Sequence, residues 1–61
     1  MGVWEVTIEL EYNECLFYMY KDVCANDIYS AVSEITYYLD EGIIECPDGC
    51  KSAIVAVELV G

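Results

Sequence analysis

The strictest constraint in this chain is an alternation that starts at its N-terminal end. Trp4, Val6, Ile8, Leu10 and Tyr12 fall on one side of an extended backbone; Glu5, Thr7, Glu9 and Glu11 fall on the other. A period of two held this long points to a half-buried antiparallel strand, one face in a core and one in water. A second run, Cys15 to Val23, carries Leu16, Phe17, Tyr18, Tyr20 and Val23, residue types that favour strands. Between the runs lies Asn13-Glu14, and Asn13 tolerates the positive φ of a tight turn. The expectation is a hairpin over Val3 to Val23.

Its register follows if Tyr12 sits opposite Cys15. Leu10 then meets Phe17 and Ile8 meets Met19 on the core face. On the reverse face Glu11 meets Leu16, Glu9 meets Tyr18, Thr7 meets Tyr20 and Glu5 meets Asp22. A bulge in the turn would swap the faces of the second strand. With this register, carboxylates and tyrosines stand side by side in water.

After the hairpin, Cys24-Ala25-Asn26-Asp27 offers two N-caps, Asn26 and Asp27. From Ile28 the apolar spacing turns helical: Ile28, Ala31, Val32, Ile35, Tyr38 and Leu39 share one face as far as Asp40 or Glu41. Gly42 suits the left-handed position that follows a helix end. Asp40 and Glu41 stand at the negative helix end, where acids are mildly unfavourable. Ile43-Ile44-Glu45 reads as extended and Pro47-Asp48-Gly49 as a turn in which proline pre-sets φ. Ser52 to Val60 is apolar on both sides, the pattern of a strand covered on both faces.

The fold class expected is α+β: β-β-α-β in one domain over residues 1–61, an antiparallel-type sheet of order 2-1-3 with one helix on one face. A right-handed crossover lays strand three parallel to strand two, and strand one pairs antiparallel with both. Strand three is then an edge with little protection beyond Lys51 and Glu58, and edges are usually blunted. A homodimer that buries Ile54, Ala56, Glu58 and Val60 is the expected remedy.

Composition decides what the exposed face can meet. Twelve acidic residues against Lys21 and Lys51 give a net charge of −10 in 61 residues. Direct binding to nucleic acid or to an anionic membrane is disfavoured, because phosphate recognition needs cations. A basic partner is favoured, with steering that weakens in salt. The same charge also serves solubility. No apolar run approaches the about 20 residues that span a bilayer, and no basic-then-apolar leader is visible, so a cytoplasmic location is expected.

Catalysis is not expected. Without histidine the usual base for a serine or cysteine nucleophile is missing, and no glycine-rich phosphate loop or calcium loop is present. Four cysteines invite a zinc reading, but Cys15 and Cys24 would stand about 30 Å apart on one strand. Cys15, Cys46 and Cys50, with Asp48 or Glu14, form an alternative ligand set, and Cys46–Cys50 is a sterically reasonable disulfide. Free thiols that pack as small hydrophobes are the expected state, with no cofactor or metal.

Binding is the better reading. Glu5, Glu9 and Glu11 set carboxylates about 7 or 13 Å apart along a strand, similar to the spacing of phosphates on one nucleic-acid strand. Tyr18, Tyr20 and Asp22 add amphipathic anchors, and Glu34, Asp40 and Glu41 on the outer side of the helix would widen the patch. In size, charge, element order and this glutamate–tyrosine face, the chain resembles small acidic inhibitors encoded by bacteriophages and mobile elements. These include DNA-mimic inhibitors of uracil-DNA glycosylase and several anti-CRISPR proteins. The resemblance implies a partner that is a basic nucleic-acid-binding protein, such as a CRISPR effector, nuclease or repair enzyme, blocked at its nucleic-acid site. The alternative is a homodimeric structural or regulatory module whose acidic surface only solubilises it.

Overall fold

The computed structural model describes residues 1–44 and 47–61. β1 (Gly2–Tyr12) and β2 (Cys15–Ala25) form the hairpin, α1 (Ile28–Asp40) follows, and β3 (Lys51–Leu59) closes a sheet of order β2-β1-β3. β1 is antiparallel to both neighbours, as the crossover rule requires. The hairpin register is the one expected, from Tyr12 opposite Cys15 through Glu5 opposite Asp22, and it runs on to Gly2 opposite Ala25. Asn13 and Glu14 take φ values of 51° and 64°. Positive φ at both central residues is the turn whose twist matches that of the flanking strands, so no bulge forms there.

The helix ends behave as local chemistry dictates. Asp27, not Asn26, is the N-cap, its Oδ1 accepting from the Ser30 amide at 2.8 Å. At the other end Gly42 takes φ 72°; the Ile43 amide donates to the Tyr38 carbonyl and the Gly42 amide to the Leu39 carbonyl. These two bonds satisfy carbonyls that the last turn leaves open. Hydrogen bonding from Ser30, chiefly from its backbone amide and then from its side chain, holds the Asp27 carboxyl below its ordinary value of 3.8. A carboxylate with a lowered folded pKa stabilises fully above its unfolded value and loses that contribution as pH falls through the folded one. The stability gap between the wild type and Asp27→Ala should therefore be constant above about pH 5 and narrow as pH falls through 3.8 toward the lowered folded value. Urea midpoints across pH check this; a gap that does not narrow with falling pH would count against a charged cap.

The core is one layer between sheet and helix. Val6, Ile8, Val23, Ala25, Ala31, Ile35 and Ile44 are buried, with Trp4, Leu10, Met19, Tyr38, Leu39, Ile54 and Val57 packed around them. The Trp4 indole N–H donates to the Ala25 carbonyl at 3.1 Å and ties the end of β2 to β1. The helix, about 20 Å long at 1.5 Å per residue, cannot follow strands of about 36 Å. It leaves the end of β2 and finishes near the start of β3, where Leu39 and Asp40 share a groove of about 360 Å³ with Ser52, Ala53 and Ile54. The first residues of β2 are therefore bare. Phe17, expected in the core, is on the core side yet 53 % exposed.

β3 departs most from expectation. Ala56 pairs with Thr7, but Ile54 pairs with Ile8, so Val55 is an extra residue and the register shifts by one. This bulge returns Ile54 and Val57 to the core side and leaves Val55 half-exposed. Beyond β3 the Val60 and Gly61 amides both donate to the Val3 carbonyl, a second two-against-one pairing. The apolarity of β3 thus does not mean cover on both faces, since Ala53, Val55, Ala56 and Glu58 are exposed. Nor is the edge unprotected, because a bulge itself disrupts edge pairing. In the Pro47–Cys50 turn Gly49 has φ 82°, and Pro47 holds the first position, its carbonyl accepting from the Cys50 amide at 3.0 Å. The expected extension of Ile43-Ile44 into Glu45, and Cys46 with its disulfide and zinc readings, end in residues outside those described. Ile43 and Ile44 themselves form a bend, with Ile44 buried.

Candidate protein-binding face

The sheet face away from the helix is built in rows, each strand supplying one side chain. Asp22, Glu5 and Glu58 form one row; Tyr20, Thr7 and Ala56 the next; then Tyr18, Glu9 and Ala53; then Leu16, Glu11 and Lys51. Neighbouring strands lie about 4.8 Å apart and rows about 6.7 Å apart. The face therefore has an acidic spine along β1, an aromatic ridge along β2 and a low alanine shelf along β3. Tyr18 and Tyr20 are 53 % and 63 % exposed. Lys51 is the only cation in these rows, at one corner beside Glu11. Lys21 pairs with Val6 and so lies on the helix side.

The two halves of the face are coupled chemically. The Tyr18 hydroxyl donates to Glu9 Oε2 at 3.2 Å. The charge of Glu9, and its acceptance of that hydrogen bond, push the Tyr18 hydroxyl above the ordinary tyrosine value. The spine and the ridge are thus joined at one point, where the Tyr18 phenol is held against the Glu9 carboxylate.

Glu58 is the member that sequence reasoning placed elsewhere. Its assignment to a dimer surface with Ile54, Ala56 and Val60 assumed a regular strand; the Val55 bulge puts Ile54 against the core and leaves Ala56 and Glu58 on the acidic face. Three carboxylates abreast repel, and like charges directly opposite cost about 0.2–1 kcal/mol in a sheet. Glu5→Gln should accordingly raise the urea midpoint by an amount worth about 0.5 kcal/mol. An unchanged or lower midpoint would mean that the row is not strained by its charge.

Glu34, Asp40 and Glu41 do not join this face. They belong to the helix, which packs on the Val6 and Ile8 side, so the sheet separates them from Glu5, Glu9 and Glu11. Glu34 accepts a hydrogen bond from the Tyr38 hydroxyl, which pushes that hydroxyl up as well. The acidity is thus split between two sides of a molecule about 13 Å thick. Among the described residues no group of three or more Cys, Asp and Glu side chains is arranged to hold a metal ion. Cys15 and Cys24 stand at opposite ends of β2, against Tyr12 and Val3 respectively. No helix among the described residues is long and apolar enough to cross a membrane.

No family model matches the chain, and neither a curated protein nor a solved structure matches it.

Proposed function

We propose that this protein is an acidic, non-catalytic inhibitor encoded by a phage or mobile element, which occupies the basic nucleic-acid-binding site of a host protein. The observation that carries this reading is the row structure of the open face, where Glu5, Glu9, Glu11, Asp22 and Glu58 gather beside Tyr18 and Tyr20. Carboxylates about 7 and 13 Å apart can answer cations that would otherwise meet phosphates. The tyrosines supply flat anchors of the kind that dominate interface energies. Steering by a charge of −10 gives fast, salt-sensitive association.

The test is capture from a bacterial lysate on immobilised protein at low and high salt. A nucleic-acid-binding protein retained at low salt and released at high salt supports the reading. Retention of nothing, or of proteins indifferent to salt, rejects it. A second reading, a homodimeric structural or regulatory module joined through β3, has in its favour the exposed Val55, Leu59 and Val60. The two bulges in that edge weigh against it. A monomer in light scattering would remove it.

A further inference from the structure

The outer edge of β2 is the long, regular strand edge of this sheet. Among the described residues β2 pairs on one side only, and its eleven residues follow β1 without a register shift, whereas β3 is interrupted at Val55. Residues that flank a two-residue hairpin turn exchange both backbone hydrogen bonds, and the pattern then alternates. Cys15, Phe17, Met19, Lys21 and Val23 therefore direct their amides and carbonyls at β1. Leu16, Tyr18, Tyr20 and Asp22 direct theirs outward, unpaired. Edges are normally blunted by charge, proline or a bulge. Cys15 to Tyr20 has none of these, and Leu16, Phe17, Tyr18 and Tyr20 are all more than half exposed.

We propose that this edge accepts a strand of the partner protein, with arginine or lysine at alternate positions, as a fourth strand of the sheet. The inference rests on the acidic-face reading and names what that face recognises. An added antiparallel strand bonds through the residues opposite Leu16, Tyr18, Tyr20 and Asp22, and those residues project onto the acidic face. Its side chains stand about 9.5 Å from β1, two strand spacings away, where long cationic side chains reach Glu5, Glu9 and Glu11. On the way they pass over the Tyr18 and Tyr20 rings, which attract cations. A repeat of two residues in the partner matches the repeat of the rows. A second copy of this chain fits less well. It carries −10 itself, its Lys21 is on the other face, and its Lys51 is on β3.

The test uses two nine-residue peptides of alternating arginine and threonine, one unmodified and one N-methylated at every arginine. The methyl groups remove the donors that would face β2 and leave the charge intact. The unmodified peptide should bind at least about tenfold more tightly, since each lost backbone bond costs a factor of a few. It should also slow amide exchange at Leu16, Tyr18 and Tyr20. Equal, salt-sensitive binding of both peptides overturns strand addition and leaves the acidic-face reading standing. Binding of neither at low salt overturns both. A dimer of the protein alone with those amides already protected overturns the proposal by making the second copy the occupant.

Discussion

Replacing Ile8 with alanine is expected to leave much of the protein unfolded at 25 °C. Ile8 is fully buried at the centre of the layer between sheet and helix, in one cluster with Val6 from β1 and Ile35 from the helix. Removing a buried isoleucine side chain to alanine costs about 2–5 kcal/mol, the upper part where neighbours cannot close the cavity. Here they cannot readily do so: Ile8 is in the middle strand, with Met19 opposite it on one side and Ile54 on the other. A core this small supplies only about 3–5 kcal/mol of net stability. The cost and the reserve are thus comparable. Leu16→Ala is the control, since Leu16 is half-exposed on the open face and surface changes cost within about 0.5 kcal/mol. Urea titration followed by Trp4 fluorescence checks both. An Ile8→Ala midpoint no lower than that of Leu16→Ala would show that the core has been misplaced.

The second large effect is on binding. Glu9→Lys with Glu11→Lys should weaken association with the captured partner about 100-fold or more while stability changes by less than about 1 kcal/mol. Both side chains point away from the core, and Glu11 is exposed. The known losses are small: one exposed hydrogen bond from Tyr18, and a like-charge pairing of Lys51 with the lysine that replaces Glu11. The net charge moves four units from −10, and two positions that attracted cations now repel them. Wrong-sign contacts inside an interface cost several kcal/mol, and loss of steering lowers the association rate as well. Titration calorimetry and a urea midpoint on the same preparation separate the outcomes. Undiminished binding by a folded double variant would remove the spine as the site.

The hairpin was legible in the sequence because several signals agree on one register. The alternation of Trp4 to Tyr12 fixes the faces of β1, and Asn13-Glu14 suits a two-residue turn, which the positive φ of both residues realises. The order 2-1-3 then follows from crossover handedness, and the helix limits from Asp27 and Gly42. The faces of β3 were not legible. In Ala53-Ile54-Val55-Ala56-Val57 every residue is apolar, so a shift of one leaves the hydrophobic pattern satisfied and nothing marks the bulge. Ile54 was grouped on one face with Ala56 and Glu58 for that reason, and the bulge separates them. Exposure of Phe17 depended on a comparison of lengths, since a four-turn helix cannot shade an eleven-residue strand. The helix acids were separable from the β1 acids once the helix was placed on the Trp4 side; pattern alone had grouped them by charge.

The alternation in β1 also separates two kinds of inheritance. Each core residue, Val6 or Ile8, is followed by a neighbour, Thr7 or Glu9, whose side chain lies on the open face and takes no part in the core. Substitutions at Glu5, Thr7, Glu9 and Glu11, and at Tyr18 and Tyr20 across the hairpin, can accumulate without passing through a misfolded intermediate. Lineages of this chain can therefore diversify the open face quickly while Val6, Ile8, Ala31 and Ile35 stay fixed, which gives the fold a built-in surface for change.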